Sequence, residues 1–153
     1  MTDIHFGTDG WRARIAEDYT FDNVRRCTQG FANYLVVQGK GSADMVIGYD
    51  KRFAAEHFGA AAAEVMAANG FHTWLTDTAT PTPVISYAIV ERGAAGGINF
   101  TSSRAAWKWA PRAQQHPPRA AVAPDGLREI EALIPPIGGV KRVVLEEAQA
   151  KGQ

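Results

Sequence analysis

Apolar residues recur along this chain in blocks whose spacing alternates between that of a helix and that of a strand. Behind Thr20, a residue type that favours the N-cap of a helix, Val24 and Phe31 lie on one apolar stripe that ends near Gly39. This spacing predicts a first helix. The run Met-Val-Ile-Gly-Tyr at 45–49 is short and continuously apolar, as in a strand buried inside a parallel sheet.

The alternation continues through the first two thirds of the chain. A second helix carries Phe58 and Val65 on one face, and residues 71–76 have the composition of the next strand. Residues 84–92 predict a short third helix, and a buried strand follows at 98–101. The order of strand and helix, repeated three times and then closed by a strand, predicts a mostly parallel sheet joined by right-handed crossovers.

Turn residues refine these boundaries. Residues 4–15 are expected to form a strand that is broken by a tight turn or bulge between Gly7 and Gly10. In the stiff loop before the third helix, we expect Thr82 to act as the N-cap and Pro83 to occupy the first helical position.

The pattern changes after the fourth strand. Residues 104–120 contain no acidic residue and no Val, Ile, Leu or Phe, which predicts a loose basic loop. A short helix with Leu127 and Ile130 on its apolar face follows, and Pro-Pro-Ile-Gly-Gly at 135–139 is typical of a linker. Residues 140–151 are expected to be a charged helical segment without a place in the core.

Composition narrows the class of protein. The chain has 153 residues, enough for one domain, and its 16 basic and 16 acidic residues cancel, which argues against a nucleic-acid or membrane-surface partner. Trp107 and Trp109 resemble a base-stacking platform, but no other basic surface supports that interpretation. No apolar run approaches the roughly 20 residues of a transmembrane helix, and no signal peptide is evident, so a cytoplasmic location is expected.

Candidate chemistry is sparse. Cys27 lies on the apolar stripe of the first helix, so we interpret it as a core residue rather than a nucleophile. Acidic and histidine residues form no cluster with metal-ligand spacing. Thr101, Ser102 and Ser103 follow the fourth strand, at the edge of a parallel sheet where ligands bind. From the residues alone, these hydroxyls fit either a catalytic loop or a simple turn.

Four stretches, taken together, resemble the N-terminal domain of the α-D-phosphohexomutases, the superfamily of phosphoglucomutase, phosphomannomutase and phosphoglucosamine mutase. They are Phe-Gly-Thr-Asp-Gly-Trp-Arg at 6–12, Gly-Tyr-Asp-Lys-Arg at 48–52, Pro-Thr-Pro at 81–83 and Gly-Ile-Asn-Phe-Thr-Ser-Ser at 97–103. Residues 121–134 also resemble the segment that closes this domain in the family. The fold that the resemblance implies is a three-layer αβα domain with a four-stranded mixed, mostly parallel sheet.

The resemblance also implies a site. Ser103 falls on the position of the serine that carries a phosphoryl group in the family. The supporting positions are Arg12, Thr101, Ser102, Asp50 and Arg52. Arg12 matches an arginine that reaches the active site from the first loop, and Asp50 with Arg52 matches a pair that shapes the face of the serine loop. The implied reaction is intramolecular phosphoryl transfer on a hexose phosphate, with Mg²⁺ bound through the phosphate of Ser103.

Two departures from the family pattern limit this expectation. Arg104, Ala105 and Ala106 replace the family's His-Asn-Pro, and Lys108 stands too early to match the family's lysine. The abrupt loss of similarity over 104–120 suggests the hypothesis of two compensating frameshifts. The other Mg²⁺ ligands and the sugar-recognition loop belong to domains II–IV of the family, so activity would require these domains in cis or in trans.

The expected organisation is therefore a phosphohexomutase domain I over residues 1–134, with an aberrant loop at 104–120, followed by a linker and a truncated C-terminal segment at 135–153. The sequence predicts a single-domain fragment that does not turn over substrate alone. The alternative is a non-catalytic phosphosugar-binding or interaction domain that needs a partner chain. A nucleotide-binding domain is disfavoured because no Gly-x-Gly-x-x-Gly joins a strand to a helix.

Overall fold

A computed structural model describes residues 4–7, 10–101 and 122–153 of the chain. Its strands are β1 (Phe6–Gly7), β2 (Gly10–Trp11), β3 (Asp44–Tyr49), β4 (His72–Leu75) and β5 (Gly96–Phe100). Its helices are α1 (Phe21–Val37), α2 (Ala55–Ala68), α3 (Thr82–Glu91), α4 (Pro124–Ala132) and α5 (Leu145–Ala150), with a 3₁₀ turn at Ile137–Gly139.

The central sheet of the described residues has three parallel strands in the order β4-β3-β5. The first predicted strand does not join this sheet. It forms the separate antiparallel hairpin β1–β2, in which Phe6 pairs with Trp11. Gly10 has a φ of 131°, a conformation that reverses the chain at low cost only for glycine. The α/β class is confirmed, whereas the described sheet has three parallel strands instead of four mixed ones.

The helices lie on both faces of the sheet. Side chains alternate along each strand, so Ile47 and Ile98 enter the core beneath α1 and α2, whereas Val46 packs with Ile85 and Ile89 of α3. The sheet therefore lies between two helical layers, and the predicted αβα class is confirmed.

Helix α1 begins as its sequence predicts. The hydroxyl of Thr20 accepts a hydrogen bond from the backbone N–H of Asn23 at 3.3 Å, which satisfies one of the free donors of the first turn. The helix ends at Val37, and Gly39 follows with a φ of 73°. Phe31 is 2% exposed, which confirms that the predicted stripe faces the core.

The start of α3 differs from the expectation. The helix begins at Thr82 itself, Pro81 holds the N-cap position, and no side chain caps the first turn. The hydroxyl of Thr82 instead accepts a hydrogen bond from Asn99 of β5 at 2.6 Å. The predicted N-cap role of Thr82 is wrong because a residue distant in sequence engages its hydroxyl.

The C-terminal segment packs against the helices, unlike the expectation of a segment without a place in the core. Ala148 of α5 is 2% exposed. The backbone N–H of Lys141 donates to Oε1 of Gln29 at 2.9 Å, and that of Val143 donates to the carbonyl of Glu64 at 3.3 Å. These contacts attach the segment to α1 and α2. The domain division at residue 134 stays a prediction.

Candidate functional site

The candidate site lies at the carboxyl edge of the sheet, where β3 and β5 end side by side. Asp50 directly follows β3, and Thr101 directly follows β5. The backbone N–H of Asp50 donates to the carbonyl of Phe100 at 3.0 Å, so the parallel ladder extends to the last residue of β5. This hydrogen bond brings Asp50 and Thr101, two of the predicted site residues, to neighbouring positions.

Asp50 and Arg52 form a local polar turn. Oδ1 of Asp50 accepts a hydrogen bond from the backbone N–H of Arg52 at 3.0 Å, and Oδ2 lies 3.4 Å from Nε of the same arginine. An aspartate that binds the backbone two residues later stabilises its own turn. The side chain of Arg52 is half exposed, so its guanidinium remains accessible to an anion while the turn holds its backbone.

A cleft of about 400 Å³ opens between this turn and the residues after β4. Its charged lining residues are Asp50, Lys51, Arg52, Glu56 and Asp77. Glu56 and Asp77 did not emerge from the sequence as site residues. The signal that could have identified Asp77 is its position just after β4, because parallel strands that are neighbours in the sheet end at the same edge.

Arg12 directly follows β2, the second strand of the hairpin, and is exposed to solvent. Its neighbour Trp11 is 3% exposed and stacks on Tyr19 with 4.8 Å between ring centroids. Tyr19 meets Phe58 edge-on at 4.9 Å, and Phe58 stacks at 6.4 Å on Phe100, the last residue of β5. A continuous row of buried rings thus connects the hairpin that carries Arg12 to the strand end that carries Thr101.

Ser102 and Ser103 lie outside the described residues, so the predicted role of Ser103 as a phosphoryl carrier stays a prediction. Thr101, the last described residue before them, is partly buried. Of the predicted site residues, the structure places Asp50, Arg52 and Thr101 at one edge of the sheet, and it anchors the hairpin that carries the exposed Arg12 through Trp11.

Ionisation of the buried groups argues against a second reactive centre on α1. Cys27 is fully buried, and this burial raises the pKa of its thiol far above the usual range. Burial also raises the pKa of the Tyr19 hydroxyl. A thiol held neutral in an apolar core is a poor nucleophile, which confirms the interpretation of Cys27 as a packing residue.

Two further properties concern metals and membranes. Within the described ranges, no group of three or more His, Cys, Asp or Glu side chains is arranged to hold a metal ion. Among those same residues, no helix combines the length and apolar character needed to cross a bilayer.

Comparison with known proteins places this geometry in a family. The model of the family described as phosphoglucomutase/phosphomannomutase, alpha/beta/alpha domain I, matches residues 3–108. A probable phosphoribomutase of Schizosaccharomyces pombe is 35% identical over 105 residues, which is 65% of this chain and 18% of that protein. A phosphoglucosamine mutase of Halorhodospira halophila is 36% identical over 100 residues, covering 65% of this chain and 21% of that protein.

A solved structure agrees with the sequence matches. A crystal structure from Thermus thermophilus, of a protein assigned as a phosphomannomutase, superposes with a TM-score of 0.73 at 28% identity. The superposition covers 94% of this chain and 31% of that one. The chain spans about a fifth of the length of the curated relatives described above. With a family match over most of its length and a shared fold, this chain belongs to the phosphoglucomutase/phosphomannomutase domain I family.

Proposed function

We propose that this chain is the phosphoserine-bearing domain of a phosphohexomutase and that Ser103 is its phosphoryl carrier. The observation that supports this most is the end of β5. In a chain matched by the domain I family, β5 ends directly beside the Asp50–Arg52 turn, and the predicted serine loop follows Thr101 in the sequence. The carboxyl ends of parallel strands are where such sheets bind their ligands, and Ser103 follows this strand end by three residues in the sequence.

The reaction we propose is a reversible transfer of one phosphoryl group. The P–O bond of phosphorylated Ser103 breaks as a hydroxyl of a hexose monophosphate attacks the phosphorus and loses its proton, which gives a hexose bisphosphate and a free serine. Transfer of the other phosphoryl group back to Ser103 then releases the isomeric monophosphate, and that sugar oxygen regains a proton. Such transfer depends chiefly on positioning and on neutralisation of the phosphate charge.

Charge neutralisation is the role we assign to the arginines. Arg52 carries an exposed positive charge beside the end of β3, and Arg12 carries another on the β1–β2 hairpin. Guanidinium is suited to phosphate because its donors form a planar fork. Asp50 holds the turn that carries Arg52 and so acts as a positioning residue.

Mg²⁺ is part of the proposal only for the complete enzyme. A hard cation of this kind needs several oxygen ligands, and the described residues supply no group of three carboxylates or histidines for it. The phosphate of Ser103 would contribute one ligand, and the remaining ligands would come from elsewhere. When bound, the ion would neutralise charge on the transferred group.

We therefore expect no hexose-phosphate mutase turnover from the 153-residue chain, even with Mg²⁺ and a hexose bisphosphate activator. The residues Arg104, Ala105 and Ala106, which replace the family's His-Asn-Pro, favour this inactivity. They also favour the second candidate, a non-catalytic domain that binds phosphosugars or a partner chain. The balanced charge of the chain favours a protein without a nucleic-acid partner.

The test is a fused enzyme. Residues 1–134 replace the equivalent domain of the Halorhodospira halophila phosphoglucosamine mutase, with the loop at 104–120 taken from that relative. We expect mutase turnover and a phosphoryl group on Ser103 by mass spectrometry. Ser103→Ala should abolish both, whereas Ser42→Ala, at an exposed serine before β3 and away from the predicted site, should retain turnover.

Three results would contradict the proposal: a fused enzyme that folds but stays inactive, turnover that survives Ser103→Ala, or robust turnover by the 153-residue chain alone. Phosphosugar binding by the chain in calorimetry, with an inactive fused enzyme, would support the second candidate instead.

A further inference from the structure

Asn99 is the one polar side chain in the described strand β5, whose other residues are Gly96, Gly97, Ile98 and Phe100. It is 2% exposed. Strands of a parallel sheet that is covered by helices on both faces are usually apolar throughout, and a buried amide costs free energy unless its hydrogen bonds are made. Its presence here therefore calls for a specific partner.

That partner is Thr82. Nδ2 of Asn99 donates to Oγ1 of Thr82 at 2.6 Å, while Oδ1 of Asn99 has no hydrogen-bond partner among the described residues. The amide is thus only partly compensated, and its single side-chain hydrogen bond in the described structure runs from β5 to the first residue of α3. Departures of this kind from the apolar rule concentrate at positions with a functional constraint.

The first turn of α3 is pressed against the sheet at the same place. A Cβ built on Gly48 of β3 would lie 2.2 Å from Cδ1 of Ile85 and 3.6 Å from Oδ1 of Asn99. Only a glycine at position 48 lets Ile85 come this close without a shift. The first turn of α3 therefore has a defined position above the ends of β3 and β5. A hydrogen bond from Asn99 to this turn holds the end of β5 at a fixed place.

The next residue of β5 is held from the other face. Phe100 is 2% exposed and packs in the core beneath α1 and α2, and its carbonyl accepts the N–H of Asp50 at 3.0 Å. The last two residues of β5 are thus tied to β3 through Phe100 and to α3 through Asn99. Thr101 follows immediately.

We propose that the Asn99–Thr82 hydrogen bond is a positioning contact that fixes the carboxyl end of β5 against α3 and so fixes the direction in which Thr101 enters the serine loop. An apolar contact would hold the strand but would not orient it, because hydrogen bonds are directional and dispersion contacts are not. The consequence for phosphoryl transfer rests on the proposed function, whereas the positioning itself does not.

The first test is amide hydrogen exchange in the 153-residue chain, resolved by NMR. Two amides report on opposite ends of the β3–β5 pair: Asp50, which donates to Phe100 at the carboxyl end, and Ala95, which donates to Asp44 at 2.9 Å at the amino end. Thr82→Val should accelerate exchange of the Asp50 amide roughly 5–10-fold, the scale of one net hydrogen bond, and that of Ala95 less than about 2-fold.

Matched variants distinguish loss of the Asn99–Thr82 hydrogen bond from a general effect of substitution in α3. Thr82→Ser retains the hydroxyl and should restore slow exchange at Asp50. Ser86→Ala removes a hydroxyl that donates to the carbonyl of Thr82 at 3.2 Å, and it should leave both amides unchanged. If Thr82→Val does not fold, Asn99→Leu removes the same hydrogen bond without leaving a buried amide unpaired. Equal acceleration of Asp50 and Ala95, or none at Asp50, would overturn the proposal.

The second test uses the fused enzyme described above. Thr82→Val should lower kcat about 10–100-fold, the scale of a misplaced catalytic group, with KM changed less than about 2-fold, and Thr82→Ser should restore kcat. Unchanged kcat despite faster exchange at Asp50 would overturn the catalytic consequence. An inactive fused enzyme with Thr82 intact would count against the proposed function instead, and the exchange result would still decide the positioning role.

Discussion

The two faces of the sheet are packed by different means. Beneath α1 and α2 the core is thick and rich in large side chains, with Phe31, Phe58, Phe71 and Phe100 all buried. On the α3 face, the buried cluster of the described residues contains four hydrophobic residues, Val46, Ile85, Ile89 and Ala94. Helix α3 leaves three large side chains of its outer surface exposed, Val84, Tyr87 and Val90.

On the α3 face, the helix lies close to the backbone of the sheet, and few large side chains fill the space between them. A Cβ on Gly97 would lie 2.6 Å from both Cδ1 of Ile89 and the carbonyl oxygen of Val46. The helix can therefore lie almost on the backbone of the sheet, and little side-chain volume is needed to fill the space. The same face carries the directional hydrogen bond from Asn99 to Thr82. The difference indicates that the thick face supplies most of the stability and the thin face supplies positional precision.

The largest expected effect tests the thick face. Phe31→Ala should lower the free energy of unfolding by roughly 3–5 kcal/mol, because the side chain is almost fully buried and its removal leaves a cavity. Urea unfolding followed by circular dichroism measures this loss. Val37→Ala, at a residue of the same helix that is 71% exposed, is the control and should change stability by less than about 0.5 kcal/mol. A loss below about 1 kcal/mol for Phe31→Ala would show that the thick face does not dominate stability.

A smaller effect tests the thin face. Gly97→Ala should lower the free energy of unfolding by about 1–3 kcal/mol, because the new methyl group meets the fixed carbonyl of Val46 as well as the movable Ile89. Gly138→Ala serves as a matched control, since nothing lies within 4 Å of the position of its Cβ. If Gly97→Ala proved as harmless as the control in urea unfolding, α3 would not lie as close to the sheet as described.

The smallest effect concerns pH. Burial in the thick core raises the pKa of Cys27, so the folded chain keeps the thiol proton after the unfolded chain begins to lose it near about pH 8.5. The unfolded state then binds fewer protons, and stability must fall as pH rises, by about 1.4 kcal/mol for each pH unit above about 9. Stability contributed by this group is fully present at neutral pH.

Urea unfolding at about pH 7.5, 8.5 and 9.5 under reducing conditions measures this slope. Cys27→Ala removes the titrating group and should give a flatter decline over the same interval, although the variant starts from a lower stability. Tyr19 adds its own decline only near about pH 10, where an unfolded tyrosine titrates. Parallel declines in the two proteins would mean that Cys27 does not remain protonated in the folded core.

Elements with a strong apolar period were predictable. The stripe containing Val24 and Phe31, capped by Thr20, became α1, and the apolar run after Asp44 became β3. These patterns are local, because periodicity and capping act over one or two turns of the chain. The α/β class followed from their alternation.

Elements defined by distant contacts were not predictable. Thr82 has the composition of an N-cap, but its hydroxyl bonds to Asn99, 17 residues away. Residues 140–151 carry too many charges to resemble a core segment, yet Ala148 is buried against the helices and Lys141 donates to Gln29. The first predicted strand became a separate hairpin, since strand pairing depends on where Gly10 turns the chain.

The sequence by itself determined the order of strands and helices, the buried stripe of α1 and the set of polar residues that follow the strands. Only the tertiary structure decided which of these residues meet. The hydrogen bond from Asp50 to Phe100, the row of rings from Trp11 to Phe100 and the bond from Asn99 to Thr82 each join residues on different elements. The physical reason is that periodicity records which side of an element faces the core, whereas contacts between elements depend on their register and distance, which no local pattern encodes.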